Sequence, residues 1–249
     1  MISMRTYYFS KRILLTMGII ILLAGIFLSV AYYSQHDPTI AAGQDEPIFQ
    51  GNTGSKAVAI TVNVDWGEEF IPAMLNEFKK SNAQVTFFVT GKWAEKNPEL
   101  LQQMAQARHS IQNHGYRHCH FNALSQDEVS TEIKKAEEII HKITGQPTAF
   151  FASPYGEYNP QLVRTVQGMN YKYIMWSVDT IDWQRPDPST IVNRVMKKVH
   201  NDAIILMHPT DPTIKALPDL LKQLQAQNYQ MITIDKITGG KIDDSHNSN

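Results

Sequence analysis

Seven apolar runs rich in β-branched residues alternate with amphipathic helical patterns between residues 57 and 234, and this alternation constrains the fold more than any other feature. The runs read as strands at 57–64 (AVAITVNV), 84–90 (QVTFFVT), 109–112, 148–151, 171–178, 203–207 (AIILM) and 230–234. Helical spacing predicts 68–80, 98–107 with Asn97 as cap, 125–143, 160–169, 189–199 and 214–227. The helix at 125–143 is the clearest, because Ser125 and Glu128 match a capping box and Gly145 lies just past its end. Strands separated by helices return to the sheet in one direction, so the fold class is α/β with parallel strands, doubly wound or a barrel. In either form, chemistry gathers at the C-terminal strand ends.

The N-terminal part is different in kind. Residues 13–33 carry no charge, are rich in Ile and Leu, and are long enough to cross a bilayer as a helix. Arg5, Lys11 and Arg12 precede them and Asp37, Asp45 and Glu46 follow, which predicts a cytoplasmic N-terminus and an external body. A signal peptide is the competing reading. The expected organisation is a basic segment 1–12, an anchor or signal 13–33, a polar linker 34–55, a catalytic-type domain 56–240 and a disordered tail 241–249. That places the body outside a bacterial membrane, or secreted if the segment is cleaved. A formal net charge of −1 with no polybasic run argues against nucleic acid as a partner. Cys119 is the single cysteine, so no intrachain disulfide forms; alternation points it away from its neighbours, in a structural role.

Titratable residues collect where strands end. Asn63 and Asp65 end the first strand, Asn113-His-Gly-Tyr-Arg-His-Cys-His120 the third and Ser153–Gly156 the fourth. Asp179 and Asp182 end the fifth, and His208 the sixth. His114 and His118 are four apart, so two imidazoles leaving a strand end or one helical turn can converge on a cation and leave positions open for water and substrate. Asp65 is the best carboxylate to join them. His208 follows an apolar run and suits a general acid, with Asp182 holding its tautomer.

These segments, in this order, resemble the NodB-homology domain of the carbohydrate esterase family 4 polysaccharide deacetylases. They read Thr61-Val-Asn-Val-Asp-Trp-Gly67, His114-Gly-Tyr-Arg-His118, Ala152-Ser-Pro-Tyr-Gly156, Asp179-Thr-Ile-Asp-Trp183 and Leu206-Met-His208. The resemblance implies a distorted (β/α) barrel with about seven strands and a divalent metal, most often Zn2+, with Co2+ or Ni2+ as substitutes. It implies hydrolysis of N-acetyl groups on peptidoglycan or chitin-like N-acetylglucosamine polymers. Asp65, His114 and His118 would hold the metal, and the Tyr155 N–H would face the oxyanion. His208 would protonate the leaving amine with Asp182 in support, while Trp183, Leu206 and Pro154 would line the substrate slot. Trp66, Tyr116, Phe121, Tyr155, Tyr158 and Trp183 are candidates to stack on sugar rings.

Two departures bear on activity. The aspartate that acts as general base in the family falls on Asn63, whose neutral amide cannot take a proton from water at useful pH. The arginine that orients that base falls on Ala152, and an extra residue precedes Gly67. Losing both base and guanidinium is self-consistent, since a buried arginine beside an amide would be an uncompensated charge. The sequence therefore predicts a slow hydrolase, with a glycan-binding pseudoenzyme as the alternative and a surface scaffold as the third reading.

Overall fold

A computed structural model describes residues 23–26 and 46–239. The chain divides into two units, Met1–Gln44 and Asp45–Asn249. In the first, residues 23–26 are helical with Leu23 and Ile26 exposed; the rest of the expected span 13–33, and the tail 241–249, lie outside the described residues. Among the described residues no helix is long and apolar enough to cross a membrane.

The second unit is built on a parallel sheet. Its strands are β1 (Ala57–Val64), β2 (Thr86–Val89), β3 (Ser110–Asn113), β4 (Phe150–Phe151), β5 (Lys172–Tyr173), β6 (Val178–Asp179), β7 (Ala203–Met207) and β8 (Gln230–Ile232). The order is β5-β4-β3-β2-β1-β7-β6, with β8 also paired to β1. Neighbours follow chain order around a ring that opens between β5 and β6. That is the order of a distorted barrel and not of a doubly wound sheet, which places its first strand at a point of reversal.

The expected strand 171–178 is two strands, which makes eight where seven were expected. The cause is a change of partner: Ile174 N–H donates to Phe151 O (2.8 Å), Met175 N–H to Ile48 O (2.8 Å) and Ser177 N–H to Ile204 O (3.1 Å). The chain thus leaves the β4 side and joins the β7 side within four residues. The end of the expected linker also belongs to the fold. Ile48 bridges Ile174 in parallel and Gln50 bridges Ala203 antiparallel, so this segment spans the opening in the ring. Gly51 N–H donates to Asp202 O (2.8 Å), and the Asp202 carboxylate takes Gly54 N–H (2.8 Å) and the Thr53 hydroxyl.

Eight helices cover the sheet among the described residues of this unit: α1 (Ile71–Lys80), α2 (Gly91–Lys96), α3 (Pro98–Gln106), α4 (Gln126–Thr144), α5 (Pro160–Gly168), α6 (Pro188–Lys198), α7 (Asp211–Ala226) and α8 (Ile234–Thr238). The capping box of α4 is present, with Gly145 left-handed at its end. Asn97 does not cap α3 through its side chain; its amide donates instead to Trp93 O (3.1 Å) and finishes α2, a helix that sequence reasoning missed.

Alternation sorts the strand residues into two faces. Val58, Ile60, Val62 and Val64 pack with Met74, Phe78, Leu101, Ile191 and Leu217 from the helices. Ala59, Phe88, Phe150, Ala152, Ile174 and Ile204 form a separate cluster. Thr61 and Asn63 continue the Ala59 row, and Leu206 and His208 continue the Ile204 row. Toward the strand ends, the inner face turns polar.

Candidate active site

At the end of β7, His208 meets Asp182. The Asp182 carboxylate has no exposed surface and accepts three hydrogen bonds. They come from His208 N–H (Oδ2, 2.7 Å), His208 Nδ1–H (Oδ1, 2.8 Å) and the Thr213 hydroxyl (Oδ2, 2.6 Å). A carboxylate accepts only, so Nδ1 carries the proton and Nε2 is left with its lone pair or a transferable proton. The turn that delivers Asp182 is locally awkward. Asp179 Oδ1 accepts Ile181 N–H (2.7 Å), and Ile181 sits at φ 51, a region costly for a β-branched residue. Arg194 on α6 donates to Thr180 O and ties the turn down from outside.

The two motif histidines are adjacent, with ring centroids 5.5 Å apart. His114 Nδ1 lies 2.7 Å from Ala152 O; a carbonyl can only accept, so Nδ1 is protonated and Nε2 keeps a free lone pair. Burial lowers the His114 pKa to about 3, helped by the neighbouring His118, which keeps the ring neutral as a ligand must be. His118 is also lowered, by burial first, against the raising influence of Asp65. Asp65 Oδ1 accepts the Thr90 hydroxyl (2.7 Å).

The donor chemistry here suits a divalent cation: two neutral imidazoles, one fixed through its far nitrogen, with a carboxylate near the second. The set is not closed, because among the described residues no group of three His, Cys, Asp or Glu side chains is arranged to hold an ion. Asn63 faces inward, the next residue Val64 packs outward among the helices, and the carboxylate arrives only at Asp65, past the strand end.

Beside the acid pair, on the adjacent strand β1, the inner face carries no charged group at position 63. Asn63 is 8% exposed, and its side chain makes no hydrogen bond among the described residues. Ala152 presents only a methyl group to the cluster around Phe88 and Ile174. Pro154 is buried and opens a short 3-10 turn in which Tyr155 takes φ 61. The Tyr155 ring is 58% exposed, stacked on His120 (4.1 Å, 13°) and edge-on to His118 (4.6 Å). Glu157 holds His120 through a 2.5 Å contact to Nδ1. Trp183 is 55% exposed beside Asp182, and Leu206 is buried next to His208 in β7.

Of the aromatic candidates, Trp66, Tyr155, Tyr158 and Trp183 are exposed. Phe121 and Tyr116 are not sugar platforms. Phe121 is buried in the cluster under α4 and α5, and Tyr116 is engaged by Glu95 at its hydroxyl (3.0 Å) and by Lys135 over its ring (3.5 Å). Cys119 packs partly buried against the same cluster as Phe121, and burial raises its thiol pKa, as fits a structural role. Trp66 lies parallel to His208, with centroids 6.1 Å apart. Gly67 permits that approach: it has φ 82, and a Cβ there would stand 2.3 Å from Pro209 O. Thr213, Thr90, Glu157 and Arg194 were not foreseen from sequence, because each meets its partner from a different element.

The polysaccharide deacetylase family matches the chain over residues 50–174. The Bacillus subtilis protein YlxY is 37% identical over 207 residues, covering 82% of this chain and 65% of that protein, so the chain spans just under two thirds of this relative's length. A peptidoglycan-N-acetylglucosamine deacetylase of Bacillus cereus is 31% identical over 191 residues, with 75% of this chain and 70% of the relative covered. Among solved structures, wild-type BA3943 from Bacillus anthracis, described as a CE4 family pseudoenzyme, matches with a TM-score of 0.77 at 36% identity over 80% of this chain and 71% of that one. A mutant of BA3943 described as having restored enzymatic activity matches at 0.76 with 34% identity, over 80% of this chain and 73% of that one.

Proposed function

Because the chain belongs to the polysaccharide deacetylase family, hydrolases of carbon–nitrogen amide bonds, we propose that its strand-end mouth binds N-acetylated amino sugars of envelope glycan and cleaves their N-acetyl amide slowly. The substrate class is peptidoglycan or a chitin-like N-acetylglucosamine polymer. We further propose that the domain works outside a bacterial membrane, held by the segment 13–33 or released from it.

One observation supports this reading: His208 is bonded twice to the buried Asp182 carboxylate, while Asn63 and Ala152 offer no group that could take a proton. His208 Nε2 is the group to protonate the departing amine, and Asp182 stabilises the imidazolium that precedes transfer. The Tyr155 N–H would meet the oxyanion, with Trp183, Leu206 and Pro154 around the acetyl group. His114 and His118 would hold a divalent cation, most suitably Zn2+ with Co2+ or Ni2+ as substitutes, and Asp65 would join them by exchanging its Thr90 bond. When bound, such a cation supplies Lewis acidity, lowering the pKa of water and polarising the amide carbonyl. Asn63 cannot take the proton from attacking water, so that step falls to solvent or to Asp65, and turnover is low.

A second reading, a glycan-binding pseudoenzyme, is favoured by the joint absence of a carboxylate at 63 and a guanidinium at 152. Acetate release and binding of N-acetylglucosamine oligomers by the full-length protein separate the two. Slow acetate release supports the hydrolase, and binding without release supports the pseudoenzyme. Neither binding nor release, in wild type and in Asn63→Asp alike, would overturn both.

A further inference from the structure

The loop between His114 and His118 is held by two helices, α4 and α2. Asn113 Nδ2 donates to Ile133 O on α4 (2.8 Å), and Asn113 Oδ1 accepts Gly115 N–H (2.8 Å). Lys135 of α4 lies over the Tyr116 ring. Gly91 N–H donates to Gly115 O (2.9 Å) and Lys92 N–H to Tyr116 O (3.0 Å). Gly91 has to be glycine here, since a Cβ would stand 2.8 Å from Tyr116 Cδ2 and 3.0 Å from Ala136 Cα. The last residue of the loop, Arg117, accepts Cys119 N–H at its carbonyl (2.8 Å) and is held from α4 by Glu132. Its backbone N–H reaches Oε2 at 2.7 Å and its Nε–H reaches Oε1 at 2.6 Å.

Glu132 is only 5% exposed on an otherwise apolar helix face with Val129, Ile133, Ala136 and Ile140. A carboxylate in that setting is costly unless it is fully hydrogen-bonded. Arg117 satisfies it, and the same two bonds fix the backbone one residue before His118. An exposed ion pair would leave that backbone free to shift, whereas a charge-assisted bond to a buried acceptor does not.

We propose that Glu132 is a positioning residue that sets the spacing of His118 from His114 and so preorganises the imidazole pair for a cation. The proposal rests on the reading of His114 and His118 as cation donors. It assigns Glu132 no contact with substrate or cation.

The test is a Co2+ titration of full-length protein followed by visible absorption, with Glu132→Ala, Glu132→Gln and Arg117→Ala beside wild type. Amide hydrogen exchange at Arg117 and His118 is measured without metal. Glu132→Ala should weaken Co2+ binding by about 10–100-fold, the range found when supports of metal ligands are removed, and should alter the ligand-field bands. Arg117→Ala keeps the backbone bond to Oε2 and should weaken binding far less. Glu132→Gln retains an acceptor and should fall between, and it keeps the test decisive if the alanine variant unfolds. Wild-type affinity and spectrum in both Glu132 variants would overturn the proposal. If wild type itself binds no Co2+, the cation reading fails separately, and the exchange data then decide the clamp: faster exchange at Arg117 in the Glu132 variants sustains it, and unchanged exchange overturns it.

Discussion

Two neighbouring sides of the mouth, the end of β7 and the adjoining end of β1 together with that of β4, are built to different standards. On one side Asp182 is buried, accepts three hydrogen bonds and fixes both the position and the tautomer of His208. On the other, Asn63 and Ala152 sit on the same inner face with no polar partner for either side chain among the described residues. The costly buried network around Asp182 is complete, whereas Asn63 and Ala152 bring no charge that would need a partner. Removing Asp182 would strand three donors, whereas the side chains of Asn63 and Ala152 have no hydrogen-bonded partner among the described residues to strand.

The largest test of this contrast is catalytic. Restoring a carboxylate with Asn63→Asp should raise acetate release by about 10²–10⁴-fold, the usual contribution of a general base. Adding Ala152→Arg should raise it further, provided the cluster around Phe88 and Ile174 admits the longer side chain. A restored variant that stays silent while binding glycan would mean that the His208 side is incomplete as well.

Stability offers the next contrast. Asp182→Ala removes one partner of a buried, hydrogen-bonded charge and should destabilise the protein by about 3–5 kcal/mol in urea unfolding. Asn63→Ala should cost less than about 1 kcal/mol, because no hydrogen bond is lost. Equal losses would erase the distinction between the two sides.

The pH dependence of stability needs a correction from a third histidine before it informs on the mouth. His109, at the start of β3, is buried between Phe78 and Phe87, and its Nδ1 accepts Val85 N–H (3.3 Å). Burial lowers its pKa from 6.5 to about 4. The fold therefore favours the neutral ring: its contribution is fully present above the unfolded value of 6.5 and is lost as pH falls toward about 4. The shift corresponds to about 3 kcal/mol over that window. His109→Gln should flatten the wild-type fall in unfolding free energy between those pH values; an unchanged slope would assign it to other groups.

What sequence revealed, and what it concealed, divides along a physical line. Six of the seven expected strands, the α4 capping box and the strand-end positions of Asn63, His114, Asp182 and His208 are local patterns, and each is found near where spacing placed it. Glu132 was invisible because it reads as one more charge on an amphipathic helix; only folding brings its buried face to Arg117. Ile48 and Gln50 were read as linker because two isolated bridges leave no apolar period. The split of β5 from β6 was hidden for a similar reason, since a change of hydrogen-bond partner does not alter residue type. The bond from the Thr90 hydroxyl to Asp65 was equally hidden, because the two residues lie 25 apart on different strand ends.

Backbone strain was likewise unreadable, and it yields the smallest prediction. Ile181 takes φ 51 between two structural fixtures, its own N–H on Asp179 and its neighbour's carbonyl on Arg194. Nothing about isoleucine suggests a left-handed residue, and the conformation costs an L-amino acid about 1–2 kcal/mol. Asparagine tolerates that region, so Ile181→Asn should stabilise the protein by up to about 1 kcal/mol after the loss of some apolar burial. Because the fixtures remain, Asp182 should stay on His208, and glycan binding should be unchanged. If Ile181→Asn instead lowers stability and weakens binding together, the isoleucine side chain is what holds the turn, and the robustness of the acid side comes from packing as much as from its hydrogen bonds.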